Sequence, residues 1–242
     1  MTVLLLAGSG EAKKIAWGLV GQGVKAIASL AGATRDPDPL PFPTRIGGFG
    51  GAEEFTAFLK GAGITAVIDA THPFAVRITD RTAAICGAQG VPYLQVLRPA
   101  WNAGAGDRWT MIADASAAQS VIPTDATVFL ATGRQTLDQF SGLEGRRVIC
   151  RQIDPPTAPF PFEGGEFAIG RPPFSVAREE ELFKALGIDW LVVKNAGGVA
   201  SATKLTAARN LGIEVAMIER PLMSDAPRVE TPAAALEWLA AL

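Results

Sequence analysis

Val3-Leu4-Leu5-Leu6-Ala7-Gly8-Ser9-Gly10-Glu11-Ala12 opens the chain and sets its architecture. The unbroken apolar run reads as a buried strand. The glycine turn that ends it leads into a helix marked by the spacing of Ala12, Ile15, Ala16, Leu19 and Val20. No basic region precedes the run and Glu11-Ala12-Lys13-Lys14 interrupts it, so it reads as a first strand rather than a signal peptide. The same pattern returns further on, where Val128-Phe129-Leu130-Ala131-Thr132-Gly133 repeats the strand and its glycine. Leu59-Lys60-Gly61-Ala62-Gly63-Ile64 is answered by Phe183-Lys184-Ala185-Leu186-Gly187-Ile188. Gly90-Val91 is answered by Gly212-Ile213, and Arg98-Pro99 by Arg220-Pro221. Landmarks matched in one order argue that the chain is built from two similar halves.

Each half alternates strands with helices. Strands are expected near residues 3–7, 25–29, 66–69 and 93–97, then near 127–131, 147–150, 190–193 and 214–218. Further helices are marked by Phe55, Phe58, Leu59 and Ala62; by Ile78, Thr82 and Ile85; by Leu182 and Leu186; and by Leu205, Ala208 and Leu211, stopped by Gly212. Alanine-rich helices are expected over 113–121 and 232–242. Short alternating units of this kind form parallel sheets with right-handed crossovers. The predicted fold is α/β, with two similar Rossmann-like lobes and a ligand cleft between them. Residues 1–110 are expected to form a nucleotide-binding lobe and residues 111–242 a substrate-binding lobe.

Composition narrows the function. The 242 residues are 48% hydrophobic, enough for a sizeable core, and the net charge of −2 leaves no electrostatic footprint for nucleic acid. No run is long enough to cross a membrane. Cys86 and Cys150 are too few for a disulfide framework and point to the reducing cytoplasm. With His72 as the one histidine, no zinc or iron–sulfur ligand set is present. The expected partner is a small molecule, and nothing in the sequence sets an oligomeric state.

Two regions of the first half carry candidate chemistry. Gly8, Ser9, Gly10 and Glu11 form a turn whose backbone suits a pyrophosphate at a helix amino terminus. Lys13 stands where the third glycine of G-x-G-x-x-G would be, and a tight turn without ligand is the plainer reading. After the second strand, where an NAD-type site places an acid, the chain offers Thr34 and Arg35, which suit a 2′-phosphate. This favours NADPH over NADH and over S-adenosylmethionine, although Arg35 also reads as a solvated loop residue. The run Asp69-Ala70-Thr71-His72-Pro73-Phe74-Ala75 lies at the carboxyl end of a buried strand, where open α/β sheets place ligands. His72 is read as contacting the cofactor or shuttling a proton, with Thr71 and Pro73 beside it; capping the next helix is the structural alternative. Arg77 and Arg81 follow on that helix, either towards an acidic ligand or as a solvated face.

The second half places Thr132-Gly133-Arg134 at its first strand end and Lys194-Asn195-Ala196-Gly197-Gly198 at the equivalent of the His72 region, with Lys204 on the following helix. Gly197 and Gly198 leave backbone N–H groups for an anion, and the cations suit a polycarboxylate. A glycine turn with surface cations is the equally plain alternative.

These pieces together resemble the precorrin-6A reductase family of corrin (vitamin B12) biosynthesis, across nearly the whole chain. The resemblance rests on the glycine turn, the Asp69–Ala75 run, Thr132-Gly133, the stretch from Lys194 to Lys204, residues 207–213 and Glu219-Arg220-Pro221. The first turn commonly reads Gly-Gly-Thr in the family, and Ala196 here replaces a usual serine. The resemblance implies NADPH-dependent hydride transfer from nicotinamide C4 to precorrin-6A, giving precorrin-6B. It also implies a polycarboxylate tetrapyrrole bound by the scattered cations, and a proton from His72, Lys194 or bound water. Tyr93 is the one tyrosine and no lysine sits four residues on, which disfavours a short-chain dehydrogenase mechanism. A reductase of another acidic metabolite and a non-catalytic NADP-binding sensor are the competing readings.

Overall fold

The computed structural model describes every residue of the chain except Ala33, Thr34, Asp36 and Ser224. The first elements are β1 (Thr2–Ala7), α1 (Gly10–Gly21), β2 (Lys25–Leu30), β3 (Thr44–Ile46), α2 (Ala52–Gly61), β4 (Ala66–Ala70), α3 (Val76–Gln89) and β5 (Tyr93–Val96). Then come β6 (Trp109–Ile112), α4 (Ala118–Val121), β7 (Thr127–Leu130), a 3-10 helix over Arg134–Leu143, β8 (Arg147–Gln152), β9 (Gly165–Ile169), α5 (Val176–Leu186), β10 (Trp190–Lys194), α6 (Thr203–Leu211) and β11 (Glu214–Ile218). The chain ends with β12 (Arg228–Val229) and α7 (Pro232–Ala240).

Two six-stranded sheets result, ordered β12-β5-β4-β1-β2-β3 and β6-β11-β10-β7-β8-β9. Their strand pairs are all parallel. Each has the doubly wound order, with strand order reversing between β1 and β4 in one and between β7 and β10 in the other. The central strands are apolar on both faces because helices cover both. In the first sheet Val3, Leu5 and Ile68 pack against Ala12, Ile15, Ala16 and Leu19 of α1. On the opposite face Leu4, Leu6 and Val67 meet Phe55 and Leu59 of α2 and Cys86 of α3. In the second sheet Phe129, Leu191, Val193 and Met217 pack on Phe183, Leu205, Ala207 and Ala208. Burying such a side chain is worth about 1.5–3 kcal/mol, so these runs hold their strands in place.

The sheet order exposes a reciprocal exchange. β5 leads to β6, yet β6 is the edge of the second sheet beside β11; β11 leads to β12, yet β12 is the edge of the first sheet beside β5. The compact units are accordingly Met1–Pro99 with Pro221–Leu242, and Ala100–Arg220. The expected division at residue 110, with all of 111–242 in the second lobe, is corrected on this point. Gln95 N–H donates to Pro227 O at 2.9 Å and Leu97 N–H to Val229 O at 2.8 Å. Ala235 and Leu239 of α7 lie buried in the first core. Local pattern cannot report which sheet an edge strand joins.

Other departures are local. The helix expected over 113–121 shrinks to α4, because Asp114 Oδ1 accepts from Ser116 N–H, Ser116 Oγ and Ala117 N–H and holds a turn ahead of it. Val20, expected on the buried stripe of α1, is exposed. Gly212 ends α6 in the left-handed conformation (φ 69°), as expected.

Candidate functional site

In the first unit the strand reversal falls between β1 and β4, and the register pairs Ala7 with Ala70, so Gly8 and Thr71 continue side by side. Ser9 joins the two strand ends. Its hydroxyl donates to Ala70 O at 2.7 Å and accepts from Ala12 N–H at 3.3 Å, capping α1. A Cβ added at Gly10 would meet nothing within 4 Å, and one at Gly8 would make only ordinary contacts with Thr71 Cα (3.7 Å) and His72 N (3.8 Å). The missing side chains therefore leave open backbone rather than relieve a clash, which is the surface a phosphate needs.

Glu11 puts an acid in this turn. Arg98, just past β5, pairs with it at 2.5 Å, and both side chains are mostly buried. Burial pushes the Glu11 carboxyl up, but its own backbone N–H and the Arg98 guanidinium outweigh that and hold it below the usual carboxylate range. The pair balances its own charge, so the turn does not present a bare negative charge to an incoming anion.

The Asp69–Ala75 run is organised from beneath. Asp69 is fully buried and accepts from Thr71 N–H (3.0 Å), Thr71 Oγ1 (2.7 Å), Thr79 Oγ1 (2.7 Å) and Tyr93 Oη (2.9 Å). Thr71 thus spends its proton on the strand end. Burial and the Asp69 charge push the Tyr93 hydroxyl well above the usual phenol range, and its proton is engaged by Asp69. His72 Nδ1 accepts from Phe74 N–H at 3.2 Å, which leaves the ring proton on Nε2. The capping alternative is not what forms. Pro73 is a buried turn residue, and α3 starts only after Ala75.

In the second unit Leu130 pairs with Val192, so Thr132 continues beside Lys194. Thr132 Oγ1 is buried and has no hydrogen-bond partner among the described residues. Burial pulls the Lys194 amine below its ordinary lysine value. Gly197 and Gly198 have φ of 69° and 88°, values a side chain would strain, and they turn the chain sharply after β10. Asn195 holds this loop: its side chain accepts from Trp101 N–H at 2.8 Å and donates to Trp101 O at 3.0 Å. Trp101 Nε1 donates to Gly198 O at 3.0 Å, and Arg220 donates to Asn195 O (2.8 Å) and Ala196 O (3.1 Å). Lys204 donates to Ser201 O at 2.6 Å, with its amine 6.0 Å from the Trp101 ring centre. Gly133 and Arg134 open the 3-10 helix, with Arg134 exposed.

The structure thus gathers Gly8, Ser9, Gly10, Glu11, Thr71, His72 and Pro73 at one strand reversal, and Thr132, Gly133, Arg134, Lys194, Gly197, Gly198 and Lys204 at the other. Thr34 lies outside the described residues, and Arg35 is exposed beyond β2. Arg77 is exposed on the first turn of α3, whereas Arg81 donates to Gly50 O at 2.8 Å, so these two do not act as a pair. Asp69, Arg98, Asn195, Trp101 and Arg220 were not expected to shape these sites. The repeated Arg-Pro pair was the available signal for Arg98 and Arg220, since both arginines secure strand-end turns.

The fold and the strand-end turns define a class: a protein of two doubly wound units, one opening on a glycine turn fit for a dinucleotide. A family model described as precorrin-6x reductase CbiJ/CobK matches residues 2–240. The chain belongs to that family. It is 41% identical over 239 residues to the precorrin-6A reductase of Rhodobacter capsulatus, covering 98% of this chain and 95% of that one. It is 40% identical over 243 residues to that of Rhodococcus erythropolis, covering 99% and 98%. The solved structure of CobK precorrin-6A reductase superposes with a TM-score of 0.96 at 40% identity, covering 100% of this chain and 96% of that one. Family membership makes the protein an oxidoreductase of corrin ring synthesis.

Proposed function

We propose that this protein reduces precorrin-6A to precorrin-6B with NADPH, the cofactor on the first unit and the acidic macrocycle on the second. The observation that carries the assignment of units is an asymmetry between two otherwise matching sheets. After β1 the chain enters an α-helix through an open glycine turn, whereas after β7 it enters a 3-10 helix. An α-helix amino terminus attracts phosphate, and the distorted counterpart does so less. When bound, the dihydronicotinamide supplies a hydride that, with one proton, saturates a double bond of the macrocycle.

The chain's own residues orient and neutralise. Gly8, Ser9 and Gly10 present backbone to the pyrophosphate while Arg98 offsets Glu11. Thr34 and Arg35 take the 2′-phosphate. Thr71, His72 and Pro73 border the cofactor, with His72 Nε2–H as a donor. On the second unit Arg134, Lys194 and Lys204 meet the carboxylates of the acetate and propionate arms, assisted by Thr132 and by the backbone of Gly133, Gly197 and Gly198. Lys194, its proton loosened by burial, is the general acid, while His72, whose Nδ1 accepts from Phe74 N–H, serves as a hydrogen-bond donor. The names of the relatives favour a cobalt-free substrate. The buried free thiols of Cys86 and Cys150 suit the cytoplasm.

The test is anaerobic NADPH oxidation, followed at about 340 nm, with precorrin-6A and its cobalt complex supplied in turn. Oxidation coupled to a change in the macrocycle spectrum is expected with the cobalt-free substrate. Nucleotide binding without oxidation by either substrate would favour a sensor and overturn the assignment.

A further inference from the structure

Three buried polar atoms just past β7 and at the end of β8 have no hydrogen-bond partner among the described residues: Thr132 Oγ1, Thr136 Oγ1 and Gln152 Nε2. Gln152 is 6% exposed. A buried donor whose bond is left unmade is costly to a fold, so a group of them in one place calls for a use.

The register shows that they belong together. Leu130 lies between Cys150 and Val192 in the second sheet, and Thr132, Gln152 and Lys194 stand two positions beyond these. Side chains two apart along a strand share a face. Phe129, Ile149 and Val193 fill the core beneath α5 and α6, so Gln152, Thr132 and Lys194 form a row on the opposite face. The 3-10 helix contributes nothing to that core and packs against β8, which puts Thr136 on the side of the row.

We propose that Gln152, Thr132 and Thr136 form a subsite for one carboxylate arm of the macrocycle, set beside Lys194. This rests on the reductase reading above and adds Gln152 and Thr136 to it. The donor set suits a carboxylate, which only accepts, at about four lone-pair positions. An amide N–H and two hydroxyls meet it in a space shut from water, where hydrogen bonds are strongest. Lys194 supplies the opposite charge that a buried carboxylate requires. All three atoms are out of solvent contact, so the arm reaches them as the first turn of the 3-10 helix gives way. The hydrogen bonds of such a helix have poorer geometry than those of an α-helix, and Gly133, with φ 75°, precedes it.

The experiment measures steady-state kinetics with precorrin-6A and NADPH, the NADPH dissociation constant, and the Tm of the ligand-free protein. The variants are Gln152→Leu, Thr132→Val and Thr136→Val. Each should raise KM for precorrin-6A about ten-fold, the scale of one hydrogen bond to a charged group, with a smaller effect on kcat and none on NADPH binding. Tm should hold or rise, because each variant removes a buried polar atom that the ligand-free fold leaves unpaired. An unchanged KM overturns the proposal. So does a lowered Tm across the three variants, which would mean that these groups hold the 3-10 helix to the sheet. Thr136→Ser keeps the hydroxyl and should keep the wild-type KM. Its contrast with Thr136→Val decides the matter should Gln152→Leu not fold. Wild-type protein that does not oxidise NADPH with precorrin-6A would overturn the reductase reading and this inference with it. An active wild type with indifferent variants overturns the inference alone.

Discussion

Arg35 is exposed just past β2, where the adenosine ribose of a dinucleotide comes to rest in a doubly wound sheet. Its guanidinium would meet the one group that NADPH has and NADH lacks. Losing such a charge-assisted bond costs about 1.5–3 kcal/mol, so Arg35→Ala should raise the NADPH dissociation constant about ten-fold or more and leave NADH unchanged. Equal losses would remove Arg35 from this role. Lys194 makes a prediction in pH. Burial lowers its folded value below the ordinary 10.5 while the unfolded chain keeps that value. As general acid it must be protonated, so kcat/KM should fall on the alkaline side at a pH below 10.5. Stability should move the other way. Between the two values the unfolded chain holds the proton and the folded one does not, so stability rises with pH across that window. Lys194→Met should abolish the alkaline limb, lower kcat and remove that rise, as pH–rate and pH–unfolding profiles would report.

At the scale of elements, packed pairs rest on single polar groups. Arg151 of β8 forks onto Glu179 of α5 at 2.7 and 2.5 Å, and its guanidinium lies 4.7 Å from the Phe129 ring and 4.3 Å from that of Phe174. Glu179 is 1% exposed, so removing the arginine strands a buried charge. Arg151→Ala should cost about 3–5 kcal/mol in denaturant unfolding, and pairing Arg151→Met with Glu179→Leu should recover much of it. Ser9 is the corresponding point between α1 and β4. Ser9→Ala removes the helix cap, worth about 1 kcal/mol, together with the bond to Ala70 O that holds the glycine turn against β4. Lower stability and a raised KM for NADPH are expected together, with Ser9→Thr restoring most of both.

The exchange of edge strands makes the whole molecule depend on both ends of the chain. A fragment of residues 1–110 lacks β12 and α7, which bare the backbone edge of β5 and the apolar face of α1. It should fail to fold cooperatively by circular dichroism and NMR dispersion, whereas residues 1–99 joined through a flexible linker to 221–242 should succeed. Equal folding of both would mean that the exchanged segment is dispensable. The same exchange separates what is local in this protein from what is not. The sequence by itself determined the eight inner strands, because a strand buried on both faces is written as an unbroken apolar run between turn residues. It also determined the doubling of the fold, the two strand-end turns and the family, through the repeated glycines and the Asp69–Ala75 run. Tertiary structure alone decided the four edges. β3, β6, β9 and β12 are two to five residues long and half exposed, so no run marks them. Their sheet is chosen by hydrogen bonds to strands elsewhere in the chain. The partners of the site's charges were hidden for the same reason: Arg98 reaches Glu11 across 87 positions and Tyr93 reaches Asp69 across 24. Periodicity records which face of an element is buried, and only the folded chain decides what that face meets.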